Sequence, residues 1–262
     1  MTKNPFDAAI EIPPYLTSSQ TEAIGRMQYV IDHNGLGVLS GEIGSGKSTV
    51  IRHLSAAAQA ANIRFIYICR ANLSPKELYI ELLNAFNLSA GFVLCNIKKC
   101  WETHLENLIL DKENLVLVLD EAHEIPPATL LEIRFLMNHN MDLKAPFPII
   151  LSGQPRLRTE LRLQAYEAIS QRVMQQYHIC AMTAEDTTGY IQSRMDAMKL
   201  TSPLFAESAI ALIHNCSGGI ARVVNQVCRH AFFSASKQDN QVIEEKHIAA
   251  VLADMDLQRG IA

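Results

Sequence analysis

The sequence predicts an α/β fold, a parallel sheet held between helices, followed by a small all-α domain. Three observations carry that prediction. Short aliphatic runs alternate with helix-patterned stretches as far as Met182, the signature of a doubly wound parallel sheet. One of those runs, Leu36-Gly37-Val38-Leu39-Ser40, leads through a glycine-rich loop into an Ala-rich helix from Val50 to Ala61. Beyond Met182 helical spacing continues and no convincing strand remains.

In chain order, Asn4 to Pro14 reads as an irregular lead-in. Thr17-Ser18-Ser19-Gln20 starts a helix whose Ala23, Ile24, Met27, Val30 and Ile31 recur at helical spacing. Leu36–Ser40 is the first strand and Arg64–Cys69 the second. Ser74-Pro75-Lys76-Glu77 opens the next helix, with Ser74 as N-cap, Pro75 in the first turn and Glu77 closing a capping box. A further helix covers about Asn96 to Leu110. Leu115-Val116-Leu117-Val118-Leu119 is aliphatic throughout, as in a strand buried on both faces. A helix from Ala128 to Asn140, a fourth strand from Pro148 to Ser152 and a fifth from Met174 to Met182 complete the core. Helices then cover about 183–199, 205–215, 220–237 and 244–256. The resulting division is 1–35, a lead-in and helix; 36–182, the α/β core; and 183–262, the helical domain.

The loop Gly41-Glu42-Ile43-Gly44-Ser45-Gly46-Lys47-Ser48-Thr49 fits G-x-x-x-x-G-K-[ST], the phosphate-binding P-loop pattern, in the strand–loop–helix context it requires. Its glycines let the backbone wrap an anion. The amides of Gly41, Glu42, Gly44, Ser45 and Gly46 and the following helix N-terminus face phosphates. Lys47 reaches the β- and γ-phosphates, Ser48 is a Mg²⁺ ligand, and Thr49 lies near the α-phosphate. The run ending in Asp120-Glu121 is the matching Walker B element. Asp120 holds the metal beside Ser48, while Glu121 stays free as general base. Gln154, after the fourth strand, can sense the γ-phosphate and position water. Arg172, just before the fifth strand, is the candidate arginine finger, pointing into a neighbouring subunit's site. Arg222 opens the long helix after Gly218-Gly219 and can reach the γ-phosphate from the helical domain. The letters Asp-Glu-Ala-His at 120–123 also name a helicase group. Those helicases need a second P-loop-type domain, for which the 80 residues after Met182 are too few. The match is therefore coincidental, and His123 reads as a polar residue at a helix start.

Composition narrows the classes. Apolar residues make up 48% of the 262, enough for a packed interior, and the net charge of −4 carries no basic tail. Six cysteines without a Cys-x-x-Cys pair sit mostly among apolar residues, so buried reduced thiols are expected and a zinc site is not. No signal peptide and no membrane span is read from the sequence, and the expected location is cytoplasmic. Lys98, Lys99 and Trp101, or Arg156, Arg158 and Arg162, could touch a nucleic-acid backbone. Each cluster alone reads more simply as a solvated helix face.

The motifs together resemble a known family. Gly41–Thr49, Leu119-Asp120-Glu121-Ala122-His123, Leu151-Ser152-Gly153-Gln154-Pro155-Arg156-Leu157, Gln171-Arg172-Val173 and Ser217-Gly218-Gly219-Ile220-Ala221-Arg222-Val223-Val224-Asn225-Gln226-Val227-Cys228 are similar, in order and spacing, to the AAA+ ATPases of the general secretion pathway protein A (ExeA) type, in the ORC/Cdc6-like branch. The resemblance implies an ATP-binding core with Mg²⁺, a helical lid, ATP hydrolysis and nucleotide-driven oligomerisation into a ring or filament. It also implies sensor 1 at Gln154, the finger at Arg172 and sensor 2 at Arg222. Where the family usually reads Gly-Ile-Pro-Arg, this chain has Ala221 before Arg222. Secretion members continue into a membrane span and a cell-wall-binding region, whereas this chain ends at Ala262. Short members resemble ATPases that accompany DDE transposases, so double-stranded DNA and a transposase are the expected partners. A secretion-assembly ATPase, a slow nucleotide switch and a helicase or clamp-loader-like motor are the alternatives.

Overall fold

A computed structural model describes residues 4–7, 12–89, 91–138, 145–200, 204–238 and 241–259 of the chain. The chain divides into two compact units, one of residues 21–41 and 47–179, the other of residues 1–20, 42–46 and 180–262. Part of the Asn4–Pro14 lead-in and the end of the Ala128–Asn140 helix lie outside the described residues.

The first unit carries most of α1 (Ser18–Asp32), then β1 (Leu36–Gly41), α2 (Lys47–Ala60), β2 (Arg64–Cys69), α3 (Pro75–Asn84) and α4 (Leu94–Leu110). After these come β3 (Leu115–Asp120), α5 (Pro127–Leu136), β4 (Ile149–Gly153), α6 (Pro155–Leu161), α7 (Glu167–Ser170) and β5 (Val173–Ile179). The strands form one parallel sheet in the order β2-β3-β4-β1-β5. Alternation along β3 divides the interior into two layers. Leu115, Leu117 and Leu119 pack toward α3–α6, while Val116 and Val118 join Met27, Val50 and Leu54 on the α1/α2 face. Asp120, two residues beyond Val118, therefore shares the α2 face. The capping box at Ser74 and Glu77 forms as expected, each residue's amide donating to the other's side chain.

Trp101 is 1% exposed and meets Phe147 edge-to-face at 6.0 Å. It cannot touch a nucleic-acid backbone, and its burial also corrects the simpler expectation of a solvated helix face for Lys98, Lys99 and Trp101. Lys98 folds onto Glu132, which also accepts from the Tyr79 hydroxyl at 2.9 Å. Lys99 remains exposed. The cysteines also differ from expectation. Cys69, Cys95, Cys100, Cys180 and Cys216 are exposed and only Cys228 is buried. Apolar neighbours in sequence do not bury a residue that lies at a strand end or on the outer side of a helix.

The second unit contains α8 (Ala184–Ala197), β6 (Leu204–Phe205), α9 (Glu207–Ser217), α10 (Ala221–Lys237), β7 (Val242–Ile243) and α11 (Glu245–Arg259). Among its described residues it is helical except that β6 and β7 pair in parallel, a correction to the all-α expectation. Two-residue strands are too short to show an alternating pattern in sequence. The helices enclose Ile191, Ile213, Val227 and Phe232, and Phe6 of the lead-in packs edge-to-face on Phe205 and Phe232.

Candidate functional site

In the sheet unit the carboxyl ends of β1, β3 and β4 gather Lys47, Asp120, Glu121 and Gln154. β1 ends at Gly41 and α2 begins at Lys47. The Lys47 ammonium is buried and donates to the Gly41 carbonyl at 2.7 Å. Ser48 is exposed and Thr49 half-buried on the first turn of α2. Asp120 is buried, and its carboxylate accepts from both neighbouring strands. Oδ1 takes the Ser152 hydroxyl at 2.7 Å and the Glu121 amide at 3.0 Å, and Oδ2 takes the Tyr67 hydroxyl at 2.8 Å. Burial, then the adjoining carboxylate, pushes the Tyr67 phenol far above its ordinary value.

Glu121 has a left-handed backbone, φ 52° and ψ 36°, and heads the 3₁₀ turn Ala122–Glu124. The turn swings its carboxyl out of the strand line, leaving it 46% exposed. Its Oε2 lies 3.5 Å from Nδ1 of His123, which is 3% exposed. The same Nδ1 faces the Gln154 amide at 3.4 Å, while Nε2 lies 3.5 Å from Glu124 Oε1. His123 is thus a buried tie between the turn after β3 and the start of α6. Gln154 is the N-cap residue of α6, and its side chain makes no capping bond.

Arg172 is not gathered with these residues. It stands before β5, whose Val173 pairs with Leu36, at the amino end of the sheet.

In the helical unit, Gly44 and Gly46 adopt φ 85° and 103°, and only glycine takes these conformations without strain. Space demands glycine too. A Cβ on Gly46 would fall on Gln20 Nε2, and one on Gly44 would lie 2.5 Å from Arg222 Cβ. Gln20 donates through Nε2 to the Ser45 carbonyl at 3.2 Å, and it is itself held by a reciprocal box with Thr17. The Arg222 amide, in the first turn of α10, donates to the Gly44 carbonyl at 3.2 Å, and the residue is exposed. Glu42 is exposed.

Within the sheet unit, Lys47 and Asp120 suit a phosphate group with a divalent cation. The buried Lys47 ammonium supplies positive charge at the start of α2, and Oδ2 of Asp120 has a lone pair beyond the one Tyr67 uses, open to a cation. In the other unit, Ser45 Oγ is buried without a hydrogen-bond partner, an orphaned donor suited to an anion.

Sequence reasoning missed Tyr67, Ser152 as a partner of Asp120, and Gln20. Strand register could have found the first. Once β2 and β3 are paired, Tyr67 lies opposite Val118 on the Asp120 face.

Comparison with known proteins accords with this geometry. The AAA domain family profile matches residues 30–161. General secretion pathway protein A of Aeromonas hydrophila is 30% identical over 226 residues, covering 84% of this chain and 41% of that protein. The chain thus spans less than half the length of this curated relative. Among solved structures, Cdc6p from Pyrobaculum aerophilum superposes with a TM-score of 0.71 at 17% identity, covering 91% of this chain and 67% of that one. The Aeropyrum pernix ORC1 protein in complex with DNA gives 0.64 at 17%, covering 93% and 67%. The Thermotoga maritima RuvB Holliday junction branch migration motor gives 0.60 at 13%, covering 93% and 72%. At these identities the likeness is one of fold. No helix among the described residues is long and apolar enough to cross a membrane. With the profile matching half its length and the P-loop fold in place, the chain belongs to the AAA domain family.

Proposed function

We propose that this chain is a cytoplasmic ATPase that binds ATP with Mg²⁺ and assembles through nucleotide into a ring or filament. In that state it acts on double-stranded DNA as the accessory, target-selecting partner of a transposase. The observation that carries the ATPase reading is the cluster at the carboxyl end of the sheet: a buried lysine, an aspartate held by three donors and a half-exposed glutamate within two strand ends. Lys47 and the amides of Gly41–Gly46 hold the phosphates. Ser48 and Asp120 hold the cation, which when bound neutralises phosphate charge. Glu121, half-exposed and turned out of the strand line, accepts the proton of the attacking water, leaving ADP and phosphate. Gln154 orients that water. Arg222 reports γ-phosphate to the helical unit, and Arg172 completes a neighbour's site.

The DNA role is supported by the fold shared with an ORC1 protein solved in complex with DNA and a branch migration motor. Exposed Lys99, Arg156 and Arg162 offer phosphate contacts, although Arg156 is also paired with Glu160. Such contacts add along an oligomer. A second reading rests on the 30% identity to a general secretion pathway protein. On that reading the assembled ATPase works on protein partners.

The deciding experiment measures binding to random-sequence duplex DNA with ATP, ADP and a non-hydrolysable analogue across a salt series. Cooperative, ATP-dependent, salt-sensitive binding supports the DNA reading. Intact ATP turnover without DNA binding in any nucleotide state transfers the assignment to protein partners.

A further inference from the structure

We infer that Tyr67 is a positioning residue for the metal-binding carboxylate, holding Asp120 in the orientation in which it would meet the cation. The inference rests on the nucleotide reading above and adds to it a residue outside every motif. Asp120 sits on β3 between β2 and β4, and each neighbour contributes one hydroxyl. Ser152 of β4 donates to Oδ1 from the centre of the sheet, and Tyr67 of β2 donates to Oδ2 from its edge. The Glu121 amide takes the second lone pair of Oδ1. One lone pair on Oδ2 remains for any further donor. The oxygen that must serve the cation is therefore the one Tyr67 holds.

This arrangement lowers the cost of cation binding. The carboxylate is fixed in one rotamer by donors on both flanks, so none of its freedom has to be lost when the cation arrives. The Tyr67 residue is 49% exposed while its hydroxyl bonds a carboxylate that is 5% exposed, so the ring lies over the sheet edge rather than filling the core. Its loss should therefore affect the metal more than the fold.

Tyr67→Phe tests this in the full chain. A fluorescent ATP analogue is titrated in EDTA and then at increasing Mg²⁺. Mn²⁺ binding to the protein–ADP complex is followed in parallel by the loss of the free-ion paramagnetic signal. Binding in EDTA should be unchanged, which also reports intact folding. The Mg²⁺ and Mn²⁺ concentrations for half-saturation should rise roughly tenfold, the scale of one hydrogen bond to a charged group. A merely structural role would weaken both arms together, and that result overturns the inference. So does an unchanged metal dependence in Tyr67→Phe where the native chain gains from Mg²⁺. If the native chain gains nothing from Mg²⁺, the nucleotide reading falls first and this one with it. Should Tyr67→Phe fail to fold, Ser152→Ala removes the donor on the opposite flank and is read by the same two arms.

Discussion

Arg172 and Lys47 stand at opposite ends of one sheet, and that separation makes a quantitative prediction. Val173 pairs with Leu36 at the start of β1, whereas Lys47 follows the end of β1 and bonds the Gly41 carbonyl. Five steps along a parallel strand, at about 3.3 Å each, put the two ends roughly 16 Å apart. From there Arg172 cannot serve the phosphates held by its own Lys47, and a catalytic role requires a neighbour's site. Arg172→Ala and Lys47→Ala should each lose turnover, the arginine variant by about 10³-fold or more. The two losses are complementary. In an equal mixture that reassembles at random, half of the sites retain Lys47 and half of those face a protomer retaining Arg172. The mixture should therefore recover about a quarter of native turnover, the expectation for a head-to-tail interface.

The assay is phosphate release across mixing ratios at fixed total protein. Activity should peak at equal amounts and fall toward either pure variant. ATP binding by Arg172→Ala should stay near native, since its own loop is intact. A mixture that never exceeds the sum of its two components, while both variants bind ATP or assemble as expected of them, would refute the trans assignment. Arg172 would then be structural, and Arg158 or Arg162 would become the finger to test.

Glu121→Gln should retain ATP and the assembled state while hydrolysis falls by at least about 10²-fold, as for loss of a general base; native turnover in this variant removes Glu121 from the mechanism. Glu132→Gln should cost about 2–3 kcal/mol in denaturant unfolding, because Glu132 is 10% exposed and takes both Lys98 and Tyr79. A loss under about 0.5 kcal/mol would show that triad to be decorative. The Ser74 hydroxyl, then its amide, holds the Glu77 carboxyl below its ordinary range. A lowered folded-state value gives stability that is present above the unfolded value and lost on acidification. Thermal stability should thus fall below about pH 4.3 more steeply in the native chain than in Glu77→Gln, and parallel acid limbs would count against the capping box.

The alternation of aliphatic runs with helical stretches, the glycine loop and the Asp120-Glu121 ending were legible because each is a local pattern. A strand buried on both faces has to be continuously apolar, and a P-loop has to place glycine where Gly44 and Gly46 take positive φ. The β6/β7 pair was illegible for the converse reason. Its two residues per strand carry no period, and its partners are separated by α9 and α10. Cysteine burial failed similarly, since exposure depends on which side of an element faces the core rather than on apolar sequence neighbours.

The site was half legible, and the division follows chemistry. Residues that meet phosphate do so through short-range geometry, so their spacing is written into the chain. Residues that position those groups act across strands, and their spacing depends on register. Tyr67 and Ser152 lie 53 and 32 positions from Asp120, yet both donate to its carboxylate within 2.8 Å. Either hydroxyl, read in sequence, is an ordinary strand residue. Parallel pairing of β2 with β3 places Tyr67 beside Val118 and Cys69 beside Asp120. That register carries the tyrosine ring onto the α2 face and lets its hydroxyl reach two pairs further, to the carboxylate. A one-residue slip of β2 would turn Tyr67 to the other layer and leave Oδ2 of Asp120 without that donor. The aspartate's partners are thus set by the hydrophobic alternation that fixes register, Ile66 and Ile68 inward against Leu117 and Leu119, rather than by any motif containing them. Substitutions that loosen that alternation should therefore disturb metal-dependent nucleotide binding before they disturb the glycine loop, whose conformation is dictated by its own residues.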